Sequence, residues 1–169
     1  MRRTAALVLL ATILGCCACG GSSSHTTETT ATAARHVDPT TQLEHAVRTA
    51  LAANHRLSGY VLWHNVVPGW ATQSTRASAL AALRASASDR RSQGIRIRPL
   101  TDHVDVLDVQ ISPSYASATA TVRDTGVVVP YRGGRRLGRT IRLDERARVE
   151  LHRIGDALRF VVWRVSAVQ

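Results

Sequence analysis

Lysine is missing from this chain of 169 residues: all 22 of its basic residues are arginine. Cysteine is nearly missing too. There are three, all between Cys16 and Cys19, so no disulfide framework can staple the rest of the chain. No hydrophobic run is long enough to cross a bilayer. The longest stretch without charge and with apolar character, Ala5 to Leu14, has ten residues, half of the roughly 20 that a spanning helix needs. The sequence holds no GxSxG, no glycine-rich loop between a strand and a helix, and no P-loop. Its seven histidines are scattered, without an i, i+4 pair or a neighbouring cysteine. His45 and His55 are ten apart on one helical stretch. No metal site and no cofactor follow from such spacing. What is present, 44% hydrophobic and 20% charged residues, suffices for one folded domain with an additional segment and argues against disorder of the whole chain.

The additional segment is N-terminal. Arg2 and Arg3 precede the apolar stretch, which has the length of the h-region of a secretory signal peptide. Ile13-Leu14-Gly15-Cys16 follows, and this run resembles the lipobox of bacterial lipoproteins of actinobacterial type. The resemblance covers residues 1–16. It implies that the Cys16 thiol receives a diacylglycerol and that cleavage makes Cys16 the new N-terminus, anchoring the protein on the outer face of the cytoplasmic membrane. Two acyl chains in one modification suffice for stable attachment. The plainer alternatives are an ordinary cleaved signal peptide and an uncleaved anchor, the latter disfavoured by the short run. Cys17 and Cys19 have no evident role. From Gly20 to about Arg35 the chain is mostly Ser, Thr, Gly and Ala, the composition of a flexible tether. The organisation read here is a signal peptide at 1–15, a lipidated cysteine and tether at 16–37, and a domain at 38–169.

Asp38-Pro39 opens that domain with a good N-cap and a proline suited to the first helical position. Leu43, Ala46, Val47, Ala50, Leu51 and Asn54 lie at helical spacing, a stripe that is apolar up to Asn54. Gly59 suggests its end. Tyr60 to Val67 is aromatic and β-branched and closes on Pro68-Gly69, which predicts a short strand. Thr72 to Gln93 predicts a second helix, with Leu80, Leu83 and Ala87 on one face. Arg90 and Arg91 fall in its last turn and Gly94 just past its end. Beyond Gly94 the period changes to two. Ile95 and Ile97 alternate with arginines, and Val104 and Val106 with His103 and Asp105. The phase slips at Leu107-Asp108, the mark of a β-bulge, and three more alternating segments follow. Turns at Ser112-Pro113-Ser114, Arg132 to Arg136 and Gly155-Asp156 make these antiparallel hairpins.

Helices first and long antiparallel strands after define an α+β domain, with helices packed on one face of a curved sheet. This order resembles the nuclear transport factor 2-like superfold, the cystatin-like cone that includes polyketide cyclase-like proteins. The resemblance covers about residues 38–168 and rests on element order and the bulged strands. It implies a pocket between sheet and helices, into which the enzymes of that superfold place Asp, His or Tyr. The candidates here are His103, Asp105, Asp108, Tyr115, His152 and Trp63. His103 and Asp105 are two polar groups on one face, as an acid/base pair requires; both also fit the wet face of a half-exposed strand. His152 alternates with Glu150 and Arg148, which makes it another outer-face residue. Trp63, Trp70 and Trp163, together with Tyr115, are read as core or pocket walls, because aromatics dominate burial.

From His36 onward 19 arginines outnumber 11 acidic residues. Arg132, Arg135, Arg136 and Arg139 cluster at one hairpin, and Arg142, Arg146 and Arg148 continue along the outer face of the next strand. Such a patch attracts anionic surfaces, by about 1 kcal/mol per residue close to an anionic membrane, although a GC-rich genome also replaces lysine with arginine. Nucleic acid, the usual partner of so basic a chain, is excluded by the export signal. The function that follows is a lipid-anchored, extracytoplasmic, non-catalytic binding or scaffold domain assisting a cell-envelope complex. Its partners would be the membrane through Cys16 and a cell-envelope protein, a wall polymer or a small apolar ligand. The alternatives are a small cyclase- or isomerase-like enzyme using His103 and Asp105, and a domain that dimerises through its sheet.

Overall fold

This computed structural model describes residues 38–168; the signal segment, Cys16 and the tether lie outside the described residues. Helix α1 spans Pro39–His64, capped as its sequence predicts: the Asp38 side chain accepts a hydrogen bond from the Thr40 N–H, and Pro39 starts the first turn. The helix does not stop at Gly59. Leu57 and Val61 carry the buried stripe onward in step with Val47, Ala50 and Leu51, so the segment from Tyr60 expected as a strand forms the last turns of α1. The true terminator is Asn65, left-handed at φ 53°, a conformation its short polar side chain tolerates. A 3-10 turn, Gly69–Gln73, precedes helix α2, Ala77–Ser92. α2 begins later than predicted because Ser74 and Thr75 run alongside the last strand, Phe160–Ala167: the Val162 N–H donates to Ser74 O, and the Arg76 N–H to Val162 O. No described helix is long and apolar enough to cross a membrane.

Five strands follow: β1 Ile95–Ile111, β2 Ser117–Arg132, β3 Arg135–Arg136, β4 Ile141–Arg153 and β5 Phe160–Ala167. They form one antiparallel sheet in the order β1-β2-β4-β5, with the short β3 beside β2. The predicted bulge is present between Val106 and Asp108, and a second lies between Pro99 and Thr101. The extra residues, Leu107 and Leu100, are exposed, as bulge residues excluded from the alternation are.

One face of the sheet is covered. Ala118, Ala120 and Val122 of β2 with Val149 and Leu151 of β4 meet Leu43, Val47 and Leu51 of α1. Alanines on the sheet and aliphatics on the helix let the two layers close tightly. A second cluster, Leu57, Val61, Ala71, Leu80 and Ala87, joins α1 to α2. The domain is an α+β fold of two helices packed on a five-stranded antiparallel sheet.

Candidate functional site

Among the cavities of the described residues, an inner one lies between the middle of α1, α2 and the sheet, and an outer one at the C-terminal end of α1. The inner one, about 560 Å3, is walled by Leu51, Ala79, Leu83, Val104, Val122 and Val149, with His55, Asp124 and Glu145 also on its lining. His55 projects from α1 toward the sheet and is held from both sides. Its Nε2 is 3.1 Å from Asp102 Oδ1 and its Nδ1 is 3.9 Å from Asp124 Oδ2. Burial pushes the Asp124 carboxyl above the usual carboxylate range; His55 opposes this, and Asp102 and Glu145 add to it. The Asp124 Oδ1 atom is buried without a hydrogen-bond partner. One donor atom from each of His55, Asp102 and Asp124 lies within 4.8 Å of the others, a hard-ligand set that can hold a divalent cation. The spacing of the histidines predicted no metal site; the fold makes this set from three separate elements, which sequence spacing does not show. Without an ion, His55 Nε2 has Asp102 as its near partner, whereas Asp124 keeps one oxygen unpaired.

The outer cavity, about 760 Å3, opens at the C-terminal end of α1 and is lined by Trp63, Arg91, Arg96, Arg98, Tyr131 and the Gly133-Gly134 turn, among others. Asn65 organises it. Its buried amide donates to the Ile95 carbonyl and accepts from Arg90 Nε at 3.1 Å. Arg90 also donates to Val61 O, and Arg91 to Asn65 O at 2.8 Å. The last turn of α2 thus supplies the cations that cap the carbonyls ending α1, a favourable placement against the helix dipole. Desolvation draws the Arg90 pKa down. Trp63 meets Tyr131 edge-on, with ring centroids 5.8 Å apart. Arg96 faces Tyr131 across the β1–β2 ladder, and Arg98 faces Val129.

Of the aromatic residues expected to wall a pocket, Trp63 does so, in the outer cavity. Tyr115 does not: it occupies the β1–β2 turn at φ 56° and is exposed. Trp163 lies outside both cavities, stacked on His152 at 4.7 Å. Trp70 is exposed on the 3-10 turn, with its edge toward Tyr60. Trp70 and Trp163 find ring neighbours at the surface, and the aliphatic core closes without them or Tyr115. His103 and Asp105 do come together, at 2.9 Å, but their side chains are 71% and 50% exposed on the face of the sheet away from the helices. Of the alternating positions, Val104 lines the inner cavity and Asp102 meets His55. Asp108 accepts from Gln110 and His152 pairs with Glu150, both outside the cavities.

The arginine run is mixed in role. Arg132, Arg135, Arg136 and Arg139 are exposed around the Gly133-Gly134 hairpin. Arg142, Arg146 and Arg148 are also exposed, on strand positions alternating with the inward Ala147 and Val149. Their face is not uniformly basic. Asp144 takes both forks of Arg123 at 2.7 Å, and Glu150 pairs with His152 and lies 3.8 Å from Arg164.

No family profile and no curated protein matches this chain. Among solved structures, the intermembrane space region of the chloroplast protein ARC6 is similar, with a TM-score of 0.61 at 9% identity, covering 73% of this chain and 95% of that one. At this identity the likeness is one of fold: an α+β arrangement shared across unrelated sequences.

Proposed function

We propose that this protein is a lipid-anchored, extracytoplasmic, non-catalytic binding domain that assists a cell-envelope complex. The observation that carries the binding role is the inner cavity. It has aliphatic walls, and its histidine has a carboxylate opposite each ring nitrogen. Such a site accepts an apolar body, and the one imidazole on its lining already has its Nε2 engaged by Asp102. The enzyme alternative relies on His103 and Asp105, which face water. Anchoring is supported by the run from Arg2 to Cys16 and by the tether that follows. A neighbour of the same fold from an intermembrane space is in keeping with work outside the cytoplasm.

Fluorescence of the neutral probe N-phenyl-1-naphthylamine, titrated with the full chain carrying Cys16→Ser to avoid lipid, tests the binding role. Ala82 lies exposed on the rim of the cavity, so Ala82→Trp closes the mouth without disturbing the core. Saturable binding that this variant abolishes is the expected result; equal binding by both chains rejects the cavity as the site. Fatty-acid labelling in cells tests the anchor, and label that survives Cys16→Ser refutes it.

A further inference from the structure

The outer cavity is a second site, separate from the inner one, and its chemistry is opposite. We infer that it binds a phosphate group carried on an organic body. Arg91, Arg96 and Arg98 converge on one cavity whose lining includes no aspartate or glutamate. Arg91 is partly engaged at the end of α1, which a helix C-terminus explains by itself. Arg96 and Arg98 have no such explanation. They stand on β1, exposed, and form none of the salt bridges or hydrogen bonds found among the described residues; other surface arginines such as Arg135 and Arg142 share this, and what sets Arg96 and Arg98 apart is the cavity they line. Two like charges at alternating positions of one strand repel each other, and the lining of the cavity holds no carboxylate to offset that repulsion.

The ligand class follows from count and shape. A phosphate monoester carries a charge of roughly −1.5 to −2 and presents three acceptor oxygens, which three guanidinium forks match better than a single carboxylate would. Trp63 and Tyr131 supply an aromatic wall for whatever bears the phosphate. The volume of about 760 Å3 lies within the roughly 300–1,000 Å3 of small-ligand sites. The floor is Gly133 and Gly134, both with positive φ and open space where a side chain would stand, so backbone can approach the ligand closely. Two sources share this chemistry: a soluble phosphorylated metabolite and the headgroup of an anionic lipid.

Isothermal titration of the purified full chain in uncharged detergent separates them. One arm uses glycerol 1-phosphate. The other uses mixed micelles containing phosphatidic acid, whose headgroup is itself a phosphate monoester, with phosphatidylcholine as the zwitterionic reference. The variants are Arg96→Gln/Arg98→Gln and, as a charge-matched control on the exposed surface of the helices, Arg56→Gln/Arg84→Gln. Saturable binding of glycerol 1-phosphate that weakens at least tenfold in the first variant, and less than twofold in the second, establishes the site for a soluble ligand. The same arginine dependence seen only with phosphatidic acid establishes it for a lipid headgroup. Equal weakening by both variants, or no saturable binding in either arm, overturns the proposal. Both β1 arginines are exposed and unpaired, so their substitution leaves the thermal midpoint in place, and loss of folding is distinguishable from loss of binding. This outcome is independent of the naphthylamine titration, which reports on the other cavity.

Discussion

Asn65 is 5% exposed and uses both ends of its amide, donating to β1 and accepting from α2, while its backbone takes the left-handed conformation that ends α1. Asn65→Ala removes both hydrogen bonds and puts a Cβ residue without local polar compensation at positive φ. With buried partners left unsatisfied at about 1–3 kcal/mol and left-handed strain of about 1–2 kcal/mol, the loss in denaturant unfolding is expected to be about 3 kcal/mol. Asn65→Gly recovers only the conformational part. Asp124 behaves differently. Its raised pKa means that the folded state favours the protonated carboxyl, so ionisation costs stability above the folded pKa and costs none below the unfolded value of about 3.9. Asp124→Asn should therefore raise the melting temperature at neutral pH, by an increment that shrinks as the pH falls through the raised pKa toward 4. A constant increment across that range rules out this account. Neither residue was visible as special in the sequence. Asn54, the residue that broke the apolar stripe, was the nearest hint, and it bonds the fully buried Thr75 at 2.6 Å.

At the scale of elements, the bulge between Pro99 and Thr101 forces a close approach. A Cβ on Gly126 would stand 2.6 Å from the Thr101 carbonyl oxygen, a backbone atom that cannot turn aside. Gly126→Ala is expected to destabilise by about 1–3 kcal/mol or more, and Leu100→Ala, at the exposed bulge residue itself, by less than about 0.5 kcal/mol; chemical denaturation of the two variants makes the comparison. The bulge at Leu107 could be read directly, because Val104, Val106, Val109 and Ile111 change phase in the one-dimensional pattern. The bulge at Leu100 was hidden by Pro99, which interrupts the alternation on its own account. The strand expected at Tyr60 shows the opposite failure. Tyr, Val, Leu and Trp suit a strand by propensity, yet Leu57 and Val61 at a spacing of four bury their side chains completely, and tertiary packing decided for helix.

For the whole molecule, the order of helices and strands and the α+β class were legible because each period persists over many residues. The cavities were not. His55, Asp102 and Asp124 come from α1, β1 and β2, and which alternating residue of a strand faces inward depends on the register that bulges reset. The core that holds these layers is aliphatic, with Phe160 its one large ring. Leu151, near the C-terminal end of β4, is fully buried. Its replacement by alanine is expected to cost about 2–5 kcal/mol, visible as a lower denaturant midpoint with an unchanged slope if the domain unfolds as one unit.

The lining of the arginine cavity ends at Gly134, whereas the inner cavity needs Glu145, Ala147 and Val149 from β4 and Val165 from β5. During synthesis the chain emerges in that order. A chain interrupted after Gly134 already carries every group of the first site and lacks one whole wall of the second, so the two pockets differ in birth date as well as in chemistry.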